Sequence, residues 1–314
     1  MPEIHTTVQR VIDNINKVIV GKESAIELVL VALLCEGHVL IEDVPGIGKT
    51  MLAKTVARSL RCTFRRIQFT PDLLPSDVTG IYYFNQKAQE FQFRPGPVMS
   101  QIVLADEINR ATPRTQSAML EAMQERQVTV DVETMALPRP FVVLATQNPI
   151  ELEGTFPLPE AQIDRFLLKV QLGYPSEIEE NTILLRFERQ DPLETLEAVT
   201  SPDELLAMQE AIRRVTVEDS VREYIVKVVR ATREHDHVDL GVSPRGSLAL
   251  YRTAQALAAI RGRGFVIPDD VKELAPAVLT HRILISPQTR LRGRTPEEVV
   301  TEIVNEVPVP VDAL

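Results

Sequence analysis

The chain has 314 residues, too many for one compact core and enough for two domains. Its longest apolar run, residues 28–35, is far shorter than the roughly 20 residues of a membrane helix. The first residues lack the basic start and apolar stretch of a secretory signal, so we expect no membrane span and a cytoplasmic location. A net charge of −10 disfavours a protein whose main work is to neutralise nucleic-acid phosphates.

The first half of the chain alternates between helical and strand patterns. Apolar residues recur at helical spacing over residues 8–18, and a second apolar helix is expected from Glu23. Short apolar segments then predict five buried strands, at residues 38–41, 64–69, 102–105, 141–145 and 166–172. Helical stretches separate most of them, and such crossovers predict a parallel sheet that is covered on both faces.

The strand signal ends near Ser176. Helical patterns follow at residues 177–189, 202–214, 218–234, 244–261 and 268–279. The sequence therefore predicts an α/β domain over residues 1–175 and an all-helical domain over residues 176–314.

A phosphate-binding loop is predicted directly after the first strand. The segment DVPGIGKT, residues 43–50, follows the Walker A pattern except that Asp43 stands at the first glycine position. Glycines let the backbone approach phosphates closely, the lysine reaches the β- and γ-phosphates, and the threonine hydroxyl ligates Mg²⁺. The alternative, a glycine-rich turn with an incidental lysine, is disfavoured by the strand–loop–helix context. The candidate residues for binding ATP are Val44, Pro45, Gly46, Ile47, Gly48, Lys49, Thr50 and Met51, with Thr50 also a candidate ligand of Mg²⁺.

An acid pair ends the predicted strand at residues 102–105. Asp106 and Glu107 fit a Walker B motif, in which the first acid holds the Mg²⁺ shell and the second orients and activates the attacking water. Two acids can equally mark the start of a helix. Their position downstream of an intact Gly-Lys-Thr favours the metal site.

Asn148 follows the strand predicted at residues 141–145. A carboxamide at that place can hold the attacking water, so Asn148 is a candidate sensor. An Asn-Pro turn is the plainer interpretation, and one residue can serve both purposes.

Several longer segments resemble one family. They are residues 105–111 (ADEINRA), the stretch from Thr115 to Glu125, residues 145–149 (ATQNP), 69–77, 154–162 and 243–245. Together they are similar to the MoxR family of AAA+ ATPases and extend over nearly the whole chain. Asp43 at the first Walker A position is typical of that family.

The resemblance implies a P-loop NTPase domain followed by a helical lid, assembled as a homo-hexameric ring with ATP bound between subunits. Arg165 matches the family's arginine finger, which reaches the γ-phosphate of the neighbouring subunit. Arg245 matches a second sensor that contacts phosphate within its own subunit, and Ile19, Val20 and Gly21 match the adenine-side motif. A guanidinium near a transferring phosphoryl group stabilises its charge. A structural salt bridge is the alternative for either arginine.

Two segments, residues 79–98 and 127–141, predict β-hairpins that are also typical of this clade. In similar ATPases such insertions project toward the pore or partner face. Alternating aromatics that only pack the sheet surface are the equally weighted alternative.

The leading hypothesis is a cytoplasmic ATPase that couples hydrolysis to chaperone-like remodelling or maturation of a client protein. The resemblance adds a partner with a von Willebrand factor A domain, and in some cases metal-cofactor insertion. A nucleic-acid motor or loader is the alternative, disfavoured by the acidic charge. A nucleotide-gated binding scaffold is the third hypothesis, and the intact set of candidate residues gives it no support.

Overall fold

The computed structural model describes residues 2–131, 133–148, 154–188 and 190–310. Its α/β part contains α1 (Pro2–Ile15), α2 (Glu23–Leu34), β1 (Val39–Glu42), α3 (Lys49–Ser59), β2 (Phe64–Gln68), α4 (Pro75–Thr79), β3 (Gly80–Asn85), β4 (Glu90–Pro95), β5 (Ile102–Asp106), α5 (Pro113–Glu125), β6 (Gln127–Val130), β7 (Glu133–Ala136), β8 (Val142–Gln147), α6 (Glu160–Ile163) and β9 (Leu168–Val170). The following part contains α7 (Glu177–Phe187), α8 (Pro202–Ile212), α9 (Asp219–Glu234), β10 (Val238–Leu240), α10 (Pro244–Ile260), α11 (Pro268–Leu279), β11 (Leu284–Ile285), α12 (Pro287–Leu291) and α13 (Pro296–Glu306).

The main sheet has five parallel strands in the order β2-β5-β8-β1-β9. The predicted α/β architecture with a parallel sheet is therefore confirmed. All five predicted strands are present, although β9 is only three residues long where the sequence predicted residues 166–172. Because parallel strands end at a common edge, the segments after β1, β5 and β8 meet there.

Both faces of the sheet are buried along its central strands β5, β8 and β1. Side chains alternate along each strand, so Val39 and Ile41 of β1 join one hydrophobic cluster and Leu40 joins another. Similarly, Ile102 lies in the first cluster and Val103 in the second. This explains why the central strands are continuous apolar runs rather than alternating patterns.

The first hydrophobic cluster continues from the sheet into the helices of the second part, where it includes Tyr224, Leu257, Val271 and Val300. The first helix also contacts that part, since His5 Nδ1 lies 2.6 Å from the carbonyl oxygen of Ile260. The core is thus continuous across residue 175, and the division into domains 1–175 and 176–314 stays a prediction.

The second part is helical with one addition. Strands β10 and β11 pair antiparallel, with Val238 opposite Ile285. Segments of three and two residues carry no measurable periodicity, so the sequence pattern did not reveal them. The helix predicted over residues 177–189 ends at Phe187, and Arg189 lies outside the described residues.

Both predicted hairpins are present. Strands β3 and β4 pair from Gly80–Pro95 to Asn85–Glu90, and strands β6 and β7 pair from Gln127–Ala136 to Val130–Glu133. Within the described ranges, the longest and most apolar helices fall short of what a bilayer crossing requires.

Candidate active site

The loop after β1 has the backbone shape that phosphate binding needs. Gly46 and Gly48 adopt positive φ angles of 85° and 92°, a conformation that glycine enters without steric cost. A Cβ built on either residue would meet no other atom within 4 Å, so the need for glycine is conformational. Helix α3 begins at Lys49, and its first N–H groups therefore face the loop.

A polar cavity of about 410 Å³ lies beside this loop. It is lined by Pro45, Gly46, Gly48, Lys49, Thr50, Met51, Lys54, Arg66, Gln68, Asp106, Glu107 and Asn148. The structure thus brings the predicted lysine, threonine, acid pair and asparagine into one place. Hydroxyl and carboxylate oxygens opposite lysines form a donor set that suits Mg²⁺ and a polyphosphate.

Lys49 is half-buried at the base of this polar cavity. Its Nζ donates a hydrogen bond of 2.7 Å to the carbonyl oxygen of Asp43. Burial lowers the pKa of Lys49, opposed by the negative charges of Asp43, Asp106 and Glu107. Val44, also in the loop, donates its N–H to the Asp43 carboxylate at 2.9 Å.

The carboxylate of Asp106 has polar partners on both sides. Its Oδ1 accepts a hydrogen bond of 2.6 Å from the hydroxyl of Thr146. Its Oδ2 accepts two from Arg66, at 2.9 Å from Nε and 2.6 Å from Nη2. Arg66 stands on the neighbouring strand, where Gln68 is in register with Asp106. The candidate metal ligand is therefore already paired with a guanidinium.

Glu107 is held at the rim of the same cavity. Its carboxylate accepts a hydrogen bond of 2.7 Å from Gln68 Nε2 and lies 3.3 Å from Arg110 Nε. Its N–H donates to the Thr146 hydroxyl at 2.8 Å. The backbone has a φ of 56°, which is uncommon outside glycine and is over-represented at functional sites.

Asn148 follows β8, the strand that lies between β5 and β1. Its side chain is 6% exposed and lines the polar cavity. The sensor candidate therefore stands between the acid pair and the phosphate-binding loop. Pro149, the last residue of the predicted motif, lies outside the described residues.

A second cavity of about 410 Å³ lies on the other side of the loop and shares Pro45, Gly46, Gly48 and Met51 with the first. Its further lining is mostly apolar: Val18, Ile19, Val20, Lys22, Ile47, Leu52, Leu172, Tyr174, Pro175, Glu180, Ile183 and Phe187. Gly21 has a φ of 69°, and a Cβ there would lie 1.5 Å from Glu179 Oε1. A polar and an apolar cavity that meet at one loop suit the phosphates and the base of a nucleotide.

Arg165 and Arg245 lie elsewhere. Both line a groove of about 270 Å³ that also includes His38, Arg126 and Arg252. His38 directly precedes β1, so the groove lies at the amino ends of the strands, whereas the phosphate-binding loop follows their carboxyl ends. The four residues of β1 alone separate the two by roughly 13 Å at about 3.3 Å per residue.

This placement bears on the expected role of Arg245. The resemblance implied that Arg245 contacts phosphate within its own subunit, and the structure places Arg245 in the same groove as Arg165, at the opposite edge of the sheet from the phosphate-binding loop. The reason is that helix α10 begins at Pro244 against the loop before β9, and not against the phosphate-binding loop. The contact of either arginine with nucleotide stays a prediction.

A hydrogen-bond network lies next to Arg165 and Arg245. The carboxylate of Asp164 accepts a hydrogen bond of 2.8 Å from Arg282 Nε and one of 3.1 Å from the hydroxyl of Ser243. The Arg282 side chain is 3% exposed and also donates to the carbonyl oxygen of Phe166 at 2.6 Å. Asp164 precedes Arg165, and Ser243 caps the helix that carries Arg245, so these bonds join the two chain segments that carry the arginines.

Several residues of these cavities were not predicted. Arg66 and Gln68 are two positions apart on β2 and therefore share one side of the strand, and polar residues at these two positions were the available signal. Tyr174, Pro175 and Phe187 on the apolar side carry no local motif.

The fold and the cavities define a P-loop NTPase with a helical domain after the sheet. Residues 38–168 match the family described as ATPase family associated with various cellular activities, and residues 230–303 match the AAA lid domain.

Three proteins illustrate the relationship. YeaC of Bacillus subtilis, whose function is uncharacterised, is 53% identical over 98% of this chain and 97% of its own. Chaperone MoxR1 of Mycobacterium tuberculosis is 44% identical over 98% of this chain and 83% of its own. The crystal structure of a proposed ATPase from Cytophaga hutchinsonii is 38% identical, with a TM-score of 0.92 over 98% of this chain and 96% of that one. The chain belongs to the MoxR family of AAA+ ATPases.

Proposed function

We propose that the chain hydrolyses ATP with Mg²⁺ at a site completed by a second copy of itself. The observation that carries this proposal is the separation of the two charged sites: the phosphate-binding cavity lies at one edge of the sheet, and the groove with Arg165 and Arg245 lies at the other. Arginines so placed lie beyond the phosphates of their own copy and meet those of a neighbour in a head-to-tail assembly.

Within one copy, the roles follow from the chemistry of each group. Lys49 binds the β- and γ-phosphates once it leaves the Asp43 carbonyl, and the loop N–H groups hold the remaining oxygens. Thr50 and Asp106 supply oxygen ligands for Mg²⁺, which neutralises charge on the phosphates. Glu107 activates the attacking water, and Asn148 positions it.

The neighbour contributes the arginines. Guanidinium groups from Arg165 and Arg245 stabilise the charge that develops on the transferred phosphoryl group, an effect worth about 10³-fold or more in rate. The hydrogen bonds of Asp164 to Arg282 and Ser243 keep the two groups in a fixed relation. Head-to-tail contacts form a ring when the rotation between copies closes, and we propose a homo-hexameric ring in keeping with the family.

We further propose that turnover drives the remodelling of a client protein in the cytoplasm. The hairpin of β3 and β4 exposes Tyr83, Phe84 and Phe91, with Phe91 71% exposed. The rings of Phe84 and Phe91 contact edge to face with centroids 5.4 Å apart. Such exposed aromatic clusters mark interaction sites. We propose that the partner at this hairpin is a protein with a von Willebrand factor A domain.

The test of the enzyme is steady-state ATP hydrolysis with Mg²⁺ over a series of protein concentrations, for the wild type and Glu107→Gln. We expect specific activity to rise with concentration, because sites form between copies, and the variant to bind ATP without turnover. A wild type that binds no ATP contradicts the proposal.

The proposed action on a client protein is tested with a deletion in the hairpin of β3 and β4. Removal of the hairpin tip, residues 85–89, should leave basal hydrolysis intact and abolish its stimulation by a client. Stimulation by DNA instead of protein would favour the nucleic-acid motor, which the net charge of −10 disfavours.

A further inference from the structure

Asp43 occupies the position where the general Walker A pattern has glycine, and its carboxylate accepts hydrogen bonds from backbone N–H groups. Oδ2 accepts the N–H groups of Leu172 at 2.7 Å and Gly173 at 2.6 Å. Oδ1 accepts the N–H of Val44 at 2.9 Å. Three backbone donors thus converge on one carboxylate, and hydrogen bonds to an ionised acceptor are the stronger kind.

These bonds join two segments that are distant in sequence. Leu172 and Gly173 follow β9, and the next residues, Tyr174 and Pro175, form part of the wall of the apolar cavity. Helix α7 begins two residues later, at Glu177. Asp43 therefore fastens the phosphate-binding loop to the segment that leads from the sheet into the helical part.

The same wall has a second attachment on its far side. Lys22 Nζ donates a hydrogen bond of 3.1 Å to the carbonyl oxygen of Tyr174. Gly21, next to Lys22, lies directly against Glu179 of α7. Tyr174 and Pro175 are thus held between the segment of Gly21 and Lys22 on one side and Asp43 of the phosphate-binding loop on the other.

The main chain of Asp43 serves the phosphate side at the same time. Its carbonyl oxygen accepts a hydrogen bond from the ammonium of Lys49, which has to turn toward a bound phosphate. The two bonds that its Oδ2 accepts come from Leu172 and Gly173, which lie outside the phosphate-binding loop. Glycine at this position would keep the loop but could not hold the wall. Asparagine could keep both wall bonds on its one amide oxygen, since Leu172 and Gly173 bond the same oxygen of Asp43. Alanine is therefore the substitution that removes the link.

We propose that Asp43 is a positioning residue that holds the base-side wall, Tyr174 and Pro175, against the phosphate-binding loop and so sets affinity for the nucleoside part of the ligand. This inference rests on the proposed nucleotide site. It predicts that the loss of the carboxylate separates recognition of the base from recognition of the phosphates.

The experiment compares two ligands, ADP and inorganic tripolyphosphate, by calorimetry with Mg²⁺ present. For Asp43→Ala we expect about a tenfold loss of affinity for ADP, the scale of losing charge-assisted hydrogen bonds, with tripolyphosphate binding unchanged within about twofold. Asp43→Glu, which keeps the charge but moves the carboxylate, should show the same selective loss and is the second variant if the first does not fold. Lys49→Ala is the control that should weaken both ligands.

Tyr174→Ala tests whether Asp43 acts through the wall. Alone it should reduce ADP affinity and spare tripolyphosphate, and combined with Asp43→Ala the total loss should be less than the sum of the single effects, because both act on one element. Equal losses for both ligands in Asp43→Ala, or full additivity with Tyr174→Ala, would overturn the positioning role. Failure of the wild type to bind either ligand would instead reject the nucleotide site itself.

Discussion

The carboxylate of Asp106 accepts two hydrogen bonds from the guanidinium of Arg66, at 2.9 and 2.6 Å. The side chain of Asp106 is 13% exposed and that of Arg66 is 47% exposed. Since Asp106 is also the proposed ligand of Mg²⁺, the arginine and the metal compete for one carboxylate.

Arg66→Gln should therefore ease metal binding. We expect the Mg²⁺ concentration for half-maximal ATP hydrolysis to fall about threefold, a modest effect because the ion pair is partly exposed. The measurement is a magnesium titration of ATP hydrolysis at saturating ATP. Arg65→Gln is the matched control, since adjacent residues of a strand face opposite sides. A rise in the required Mg²⁺ would show that Arg66 assists the site instead.

Asp164→Asn should destabilise the protein strongly. An asparagine can still form hydrogen bonds to Arg282 and Ser243, but it carries no charge and leaves a guanidinium that is 3% exposed without its counter-charge. Breaking such a pair costs about 3 kcal/mol of unfolding free energy. Urea denaturation is the measurement, with Asp191→Asn as a control because that carboxylate accepts the N–H of Leu193 outside this network. A loss no larger than in the control would contradict the role given to Asp164.

His38 should make stability depend on pH. Burial lowers its pKa to about 4, and the ring is held by the carbonyl oxygen of Met123 and the N–H of Val143, each at 3.0 Å. The folded state thus keeps the ring neutral while the unfolded state protonates near pH 6.5, so stability falls as the pH drops from about 6.5 toward 4.

The size of this effect is bounded. The full difference between the folded and unfolded pKa values of His38 corresponds to about 3 kcal/mol of unfolding free energy. Between pH 6.5 and pH 4 the unfolded state binds a proton that the folded state does not. His38→Gln retains one donor and one acceptor but does not titrate. Urea denaturation at pH 7 and pH 5 should show a smaller loss in the variant than in the wild type. Equal losses in the two proteins would show that His38 does not contribute.

What the sequence could predict depended on distance along the chain. The phosphate-binding loop and the acid pair were recognisable because their residues are contiguous and follow buried strands. The groove that contains Arg165 and Arg245 was not recognisable in the sequence. It forms where Asp164 contacts Ser243, which is 79 positions away, and Arg282, which is 118 positions away. The edge on which Arg245 lies is decided by that packing alone.

The same limit applies to the fold. Five strands and most helices were marked by apolar runs and helical spacing. The sequence did not indicate that the first helix would pack on α10, or that one core would run through both parts, since these contacts join segments up to 255 residues apart. The role of Asp43 as a link likewise became visible only when residues 172 and 173 were placed beside it.

The central claim, a site shared by two copies, is tested most directly by mixing two inactive variants. Lys49→Ala removes phosphate binding from one chain, and Arg245→Ala removes an arginine from the other. If Arg245 acts on a neighbour, a mixture at equal amounts restores hydrolysis at up to about a quarter of the interfaces, where an intact loop meets an intact arginine. The Lys49→Ala and Arg165→Ala pair should behave in the same way. If Arg245 acts within its own copy, every intact loop lacks its arginine, and a mixture with no recovered activity would contradict the account.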